Sequence, residues 1–259
     1  MKTYLYPLAL AVSLGAVSTQ VSAADFPDFD VTATNWGGSN DFTADKITGN
    51  YTEIITFDGL GGFEFSLLWE AGQFVTNDGS SALPGGFTGL GVNYGLYALF
   101  TATGTVAPTA TGFDFDLIPG SDISMYIDKD NNNFSNWSAP ATGGGAFSNI
   151  NSGEDVLLGH GVALSGAGDL EPDCTGGINC GSFGQTTSFM LDDLTLFTNP
   201  NPFYNISFQS GQFNTFDVTG TQEINGSLDV VFGNVPEPAS VALLGLGLIG
   251  LGASRRRKV

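Results

Sequence analysis

The chain has 259 residues, among them 21 phenylalanines, and its 26 acidic residues outnumber its seven lysines and arginines, for a formal net charge of −19. A surface so poor in basic side chains cannot neutralise phosphates or release their counterions, so the composition excludes nucleic acid as a partner. Binding to anionic lipid or to an acidic polysaccharide would need a bridging divalent cation. The alternative interpretation is that the acids only keep the protein soluble.

The N-terminus has the pattern of a secretory signal peptide. A positive residue, Lys2, precedes a mostly apolar run at 5–17, and Val21-Ser22-Ala23 supplies the small residues at −3 and −1 that signal peptidase needs. We expect signal peptidase to cleave between Ala23 and Ala24. Residues 1–23 are therefore a targeting segment and not part of the fold.

The next segment, residues 24–234, has the pattern of a succession of short strands. Apolar and polar residues alternate along it, as where Phe63, Phe65 and Leu67 share one face of a strand. Clusters of Asn, Asp, Gly and Ser separate the alternating runs, as at 77–81, and these residues favour turns. The predicted strands are 29–34, 51–57, 62–69, 94–103, 111–118, 122–128, 155–164, 186–197, 203–209, 213–220 and 222–232.

About eleven strands with no convincing amphipathic helix predict an all-β fold. We expect an antiparallel β-sandwich of jelly-roll type, with residues 24–234 as one extracytoplasmic domain and the phenylalanines as its core. An alternative is two small β-subdomains divided within residues 140–153.

A polar loop, residues 129–151, carries the sharpest candidate for a metal site. Oxygen ligands at Asp128, Asp130 and Asn132 have the alternate spacing with which a turn wraps Ca²⁺. The glycine and the bidentate glutamate of an EF-hand are missing, so further ligands would come from elsewhere in the chain. The alternative is a plain Asx-type turn. No cofactor other than Ca²⁺ is predicted.

Tryptophan side chains could stack on sugar rings, because pyranose C–H faces pack on indole. Trp69 lies in an alternating strand pattern, so we expect it in the core. Trp137 lies in the polar loop, where a binding residue would be displayed, and is the candidate sugar contact.

Catalytic candidates are weaker than binding candidates. The pairs Asp114/Asp116 and Asp192/Asp193 could serve as the two carboxylates of a glycosidase, but a chain this acidic produces such pairs by accident. His160 is the sole histidine, and no Gly-x-Ser-x-Gly elbow accompanies it. We therefore expect that the protein is not an enzyme.

The two cysteines, Cys174 and Cys180, lie five residues apart with Gly176 and Gly177 between them. In an oxidising exported setting this spacing predicts a disulfide that closes a small loop. The alternative is a zinc site, but zinc would need two further Cys or His ligands.

The last 25 residues have three parts. The first part is a stem with two prolines, which cannot extend the following helix N-terminally because proline lacks the backbone N–H. Since proline also fixes φ, we expect the stem to be stiff and accessible. The apolar run at 239–253 carries no charge, and its 15 residues approach the ~20 needed to span a membrane if the helix begins near the prolines. The basic tail indicates a transmembrane helix whose end stays in the cytoplasm. The stem is Val235, Pro236, Glu237 and Pro238, and the tail is Arg255, Arg256, Arg257 and Lys258.

The string VPEPASVALLGLGLIGLGASRRRK resembles the PEP-CTERM sorting signal, found on exported proteins of Gram-negative bacteria that make extracellular polysaccharide. The resemblance implies that the helix anchors the chain transiently in the inner membrane, and that exosortase, a membrane cysteine protease, recognises and cuts it near Pro236-Glu237-Pro238. The product then joins the cell surface or the extracellular matrix. The alternative is an ordinary C-terminal anchor that is never cut.

Segments such as DKITGNYTEIITF, YGLYALFTATG and FNTFDVTGTQEINGSLDVVF resemble the flocculation-associated PEP-CTERM proteins. This resemblance implies a protein that promotes flocculation, the aggregation of cells within their own exopolysaccharide, and it supplies no active-site residues. The alternative function is a secreted carbohydrate-binding module or, less favoured, a glycoside hydrolase that shares only the sorting tail.

Overall fold

The computed structural model describes residues 26–134, 136–175, 178–199, 203–210 and 218–234, of which 172–183, 186, 199, 203–210 and 233–234 are described by their backbone alone. The predicted signal peptide, 1–23, and the sorting segment, 235–259, lie outside the described residues. Within the described part of the chain, no helix is long and apolar enough to cross a membrane.

Strands dominate the described residues. Only two short helical turns occur among them, a 3-10 turn at Ala33–Trp36 and one α-helical turn, α1, at Gly85–Thr88. The strands are β1 Phe29–Val31, β2 Phe42–Ala44, β3 Lys46–Phe57, β4 Gly62–Thr76, β5 Ser81–Ala82, β6 Gly95–Pro108, β7 Phe113–Leu117, β8 Asp122–Asp128, β9 Trp137–Ser138, β10 Ser148–Asn149, β11 Val156–Thr175, β12 Ile178–Leu191, β13 Phe197–Asn199, β14 Phe203–Ser210 and β15 Thr221–Asn234.

The main sheet is a closed ring of antiparallel strands. Its order follows the chain: β3, β4, β6, then β7 and β8 end to end, β11, β12, β14 and β15. The ring closes because β15 pairs with β3, from Thr221 opposite Thr56 to Val230 opposite Ile47. Closure pairs these strands on both sides over most of the described ring, although the end of the β11/β12 hairpin, beyond Leu170 and before Phe183, has a partner on one side only.

The all-β class is confirmed, but the predicted jelly-roll sandwich is wrong, because the main strands form one sheet in sequential order and not two facing sheets with crossing connections. Alternation of apolar and polar residues shows which face of a strand is buried. It does not show which strands are neighbours, so it fits a sandwich and a closed sheet equally well. Strands on both sides of residues 140–153 belong to this one ring.

The inward face of the ring holds the core. On β8, Ile123, Met125 and Ile127 point inward and are almost fully buried, and this strand has the bounds that the alternation predicted. Trp69 has no exposed surface, which confirms its predicted core position, and its Nε1 donates to the carbonyl O of Leu228 at 3.1 Å. A buried indole N–H needs such an acceptor.

A small three-stranded sheet, in the order β13-β1-β2, adds to one end of this core. Phe29 of β1 makes the central contacts, with ring centroids 6.5 Å from Phe74, 5.5 Å from Phe197 and 4.8 Å from Phe232. Since Phe74 lies near the end of β4 and Phe232 near the end of β15, the small sheet packs against that end of the ring.

Residues 129–155, which we call the outer loop, cover part of the outer face of the ring. Phe147 of this loop packs with Ile54, Leu68 and Tyr97 in a second buried cluster. The loop is also tied to the sheet by the backbone N–H of Gly143, which donates to Thr56 Oγ1 at 2.9 Å. The strands beneath the outer loop are therefore buried on both faces.

Candidate metal centre and adjoining cleft

The outer loop begins with a tight turn at the end of β8. Asp128 is 2 % exposed, and its Oδ1 and Oδ2 accept hydrogen bonds from the backbone N–H groups of Asn132 at 3.2 Å and Asn133 at 2.9 Å. Asn131, which lies between Asp128 and Asn132 in the chain, adopts a left-handed backbone, with φ of 51°. The Asp128 side chain therefore stabilises an Asx-type turn. Such a turn is the structure that the sequence also predicted as the alternative to a metal site.

The two ends of the outer loop bring three carboxylates together. A carboxylate oxygen from each of Asp128, Glu154 and Asp155 lies within 4.8 Å of the others. The grouping follows from the sheet, because β11 runs antiparallel to β8 and places Val156 opposite Ile127. We call Asp128, Glu154, Asp155, Asn132 and Asn133 the acidic cluster.

Two of the three residues that the sequence suggested as metal ligands belong to this cluster. Asp128 supplies a carboxylate and Asn132 an amide, but Asp130 is exposed and lies outside the group. The sequence did not indicate Glu154 and Asp155, which lie more than twenty residues after Asp128. Their position at the start of the predicted strand 155–164 was a usable signal only if that strand was known to pair with β8.

Asparagine amides link the carboxylates. Asn132 Nδ2 donates to Glu154 Oε1 and Asn133 Nδ2 donates to Asp155 Oδ2, both at 2.7 Å. Within the described residues, the Oδ1 atoms of Asn132, Asn133 and Asp155 are buried and have no hydrogen-bond partner. Buried polar atoms in proteins almost always have partners, so three orphan oxygens in one cluster call for an explanation.

The cluster is electrostatically unbalanced. Burial raises the pKa of Asp155 and the negative charges of Asp128 and Glu154 add to the rise, whereas hydrogen bonds from Tyr97 and Asn133 oppose it. The ion pairs found among the described residues are Lys46–Asp229 and His160–Asp192, and neither involves these acids. The arrangement is therefore suited to binding a cation through oxygen ligands.

Trp137 lies beside this cluster. Its ring packs edge-on against Tyr97, with centroids 4.9 Å apart, and its Nε1 donates to Glu70 Oε1 at 3.1 Å. Burial raises the pKa of Glu70, the Trp137 hydrogen bond opposes this, and the charge of Asp128 adds to the rise. Tyr97 in turn donates to Asp155 Oδ2, so one side chain contacts both the tryptophan and the acidic cluster.

An open cleft of about 320 Å³ lies on the outer face of the sheet at Trp137. Thr52, Glu70 and Glu223 supply polar groups to its lining, and Phe134, which is 69 % exposed, supplies an apolar ring. Aromatic faces next to carboxylates and a hydroxyl are the groups that sugars contact. The structure thus places the candidate sugar contact Trp137, although half-buried, in the lining of a cleft.

The other sequence candidates lie apart from this site. Asp114 and Asp116 are exposed on the outer face of β7, and His160 Nδ1 lies 2.6 Å from Asp192 Oδ2, with both side chains well exposed.

The disulfide prediction concerns side chains outside those described. Cys174 is in β11 and Cys180 is in β12, the two strands of one hairpin, in which Glu171 is opposite Cys180 and Thr175 is opposite Ile178. Pairing of the two cysteines therefore remains a prediction.

Comparison with protein families matches residues 234–258 to the family model described as the PEP-CTERM protein-sorting motif. The chain carries a PEP-CTERM sorting motif. The matched segment includes the stem from Val235 to Pro238 and the basic tail from Arg255 to Lys258, and the motif indicates an exported protein that exosortase targets after a transient membrane anchorage. No curated protein and no solved structure matched the chain.

Proposed function

We propose that this PEP-CTERM protein acts at the cell surface or in the extracellular matrix, where it promotes flocculation by associating with exopolysaccharide. The sorting motif is the observation that carries the proposal, because it indicates an exported protein that exosortase targets. The proposed role is structural and adhesive, not catalytic.

Charge in the exported part supports a matrix role. Five of the seven basic residues and one of the 26 acids lie in residues 1–23 and 235–259, so residues 24–234 carry 25 acids against two bases, a net charge of −23. Such a surface repels other acidic molecules at low salt. Association with an acidic polymer would then depend on divalent cations.

Deletion and complementation test the proposal. We expect cells without the protein to lose flocs, full-length chain to restore them, and a chain without residues 235–259 to fail. Intact mass from washed cells and from medium would report cleavage near Ala23 and Pro236. Unchanged floc size and settling rate in the deletion strain would overturn the proposed function.

The cleft favours a second candidate, a carbohydrate-binding module. Here Trp137 and Phe134 would stack on sugar rings while Glu70 and Thr52 accept or donate hydrogen bonds to hydroxyls. Phe134 is the sharper test, because it is largely exposed and its loss should not disturb the core.

Retention of the processed protein on immobilised exopolysaccharide checks this candidate. We expect Phe134→Ser to weaken retention several-fold. Ile150→Ser is the matched control, since Ile150 is an equally apolar residue of the outer loop, 91 % exposed, that does not line the cleft. Equal retention of the two variants would reject the cleft as the binding site, and release of sugars from the polymer would indicate a hydrolase instead.

A further inference from the structure

We propose that the acidic cluster binds one Ca²⁺ ion through the carboxylates of Asp128, Glu154 and Asp155 and the amide oxygens of Asn132 and Asn133. The ion would join the two ends of the outer loop. This site differs from the one that spacing alone suggested, because Asp130 is replaced by two acids from the far end of the loop.

Charge is the first argument. Three carboxylates whose oxygens lie within 4.8 Å repel one another when all are ionised. Asp128 is 2 % exposed, so water screens its charge poorly. The described ion pairs of the protein lie elsewhere, and Lys129, the basic residue next to Asp128, is exposed. A divalent cation would remove this repulsion.

Orphan oxygens are the second, independent argument. The Asn133 side chain is 2 % exposed, its Oδ1 has no partner among the described residues, and its amide group lies against Asp155. Asn132 and Asp155 each contribute a further buried Oδ1 that has no hydrogen-bond partner among the described residues. Carboxylate repulsion alone does not explain unpartnered neutral amides, whereas a bound cation needs acceptors of this kind.

Ligand type selects calcium. The cluster offers oxygen atoms and neither sulfur nor imidazole nitrogen, which argues against zinc and copper. Ca²⁺ accepts six to eight oxygens from carboxylates and neutral carbonyl groups in flexible geometry, whereas Mg²⁺ demands an octahedron and keeps several waters. Three carboxylates and two amides on a loop match the first description.

Calcium at this position would also order the cleft. Asp155 accepts the Tyr97 hydroxyl hydrogen bond, and the Tyr97 ring packs against Trp137. Fixing the ends of the outer loop would hold Trp137 and Phe134 in the lining. This consequence for sugar binding rests on the proposed function, but calcium binding itself does not.

Titration of the processed protein tests the site. After treatment with EDTA and buffer exchange, CaCl₂ is added in a calorimeter, and melting temperature is measured with and without Ca²⁺ or Mg²⁺. We expect one saturable Ca²⁺ site, a rise in melting temperature, and a weaker response to Mg²⁺. Absence of saturable heat together with an unchanged melting temperature at millimolar Ca²⁺ would overturn the proposal.

Two carboxylate-to-amide variants locate the site. Glu154→Gln keeps the oxygen that accepts from Asn132 and removes only the charge, so the fold should survive. We expect it to weaken Ca²⁺ binding roughly tenfold or more. Asp130→Asn is the matched control in the same loop and should bind like the wild type. Equal weakening by the two variants would overturn the assignment of ligands.

Calcium binding and flocculation are separate readouts. A protein that binds Ca²⁺ but whose deletion leaves flocs intact would keep the metal site and overturn the proposed function. Loss of flocs on deletion, with no Ca²⁺ bound by the purified protein, would overturn the metal site and keep the function.

Discussion

The Tyr97 hydroxyl donates a hydrogen bond of 2.5 Å to Asp155 Oδ2. Tyr97 lies on the ring strand β6, and Asp155 is the last residue of the outer loop. The bond therefore ties the loop to the sheet at the acidic cluster, and burial together with this bond raises the pKa of Tyr97.

Tyr97→Phe should lower the free energy of unfolding by about 1–2 kcal/mol, since it removes one hydrogen bond to a charged group and leaves the ring in place. Urea denaturation measures the change. Tyr126→Phe is the control, because the Tyr126 ring stacks on Tyr97 at 5.1 Å but its hydroxyl has no hydrogen bond to the described residues. A loss as large in Tyr126→Phe would show that the hydroxyl bond to Asp155 contributes nothing specific.

Glu53 should make stability depend on pH. It lies on the inward face of β3 between Tyr51 and Ile55, and burial raises its pKa from 4.5 to about 8. Between these values the folded state holds a proton that the unfolded state has released, so the contribution of Glu53 to stability is fully present below pH 4.5 and is lost as the pH rises through 8.

Glu53→Gln mimics the protonated acid and should remove part of this dependence. Because the side chain keeps some accessible surface, we expect the loss of unfolding free energy between pH 5 and pH 8 to shrink by about 1–3 kcal/mol relative to wild type. Urea denaturation at both pH values gives the comparison. The exposed Glu223 supplies the control variant Glu223→Gln, and an identical pH profile for both variants would contradict the prediction.

Gly49 is required where β3 passes Trp69. A Cβ at this position would collide with the Glu70 carbonyl O and with Trp69 Nε1, the atom that donates to Leu228. We expect Gly49→Ala to lower the free energy of unfolding by about 1–3 kcal/mol, because the added methyl group would force neighbouring core atoms out of their packed positions. Thermal and urea denaturation measure this loss.

Gly86→Ala is the matched control for Gly49→Ala. A Cβ on Gly86 would meet open space, and this residue lies in α1. We expect unchanged or slightly higher stability, since alanine has fewer unfolded conformations than glycine. The steric account of Gly49 fails if both variants lose stability equally.

Cys174 and Cys180 should be oxidised in the exported protein. Intact mass after iodoacetamide without reductant should then show no added alkyl group, and reduction should cost on the order of 2–3 kcal/mol, because the closed loop is short. Two alkyl groups on the unreduced protein would mean free thiols.

Local patterns predicted local structure well. Alternation of Ile123, Met125 and Ile127 gave the bounds of β8, because side chains on successive strand residues point to opposite faces. The Asn-Asp-Gly turn was also predicted correctly: Asn77 and Asp78 have φ of 58° and 53°, a backbone that these residues tolerate.

Amino-acid order by itself determined the β class, the inward faces and the sorting motif, since these depend on neighbours within a few residues along the chain. Only the tertiary structure decided that β15 pairs with β3 and that Glu154 and Asp155 meet Asp128. Both facts depend on which distant strands become neighbours. Strand pairing depends on the packing of the whole core, and the alternation of residues within one strand does not identify the strand that pairs with it.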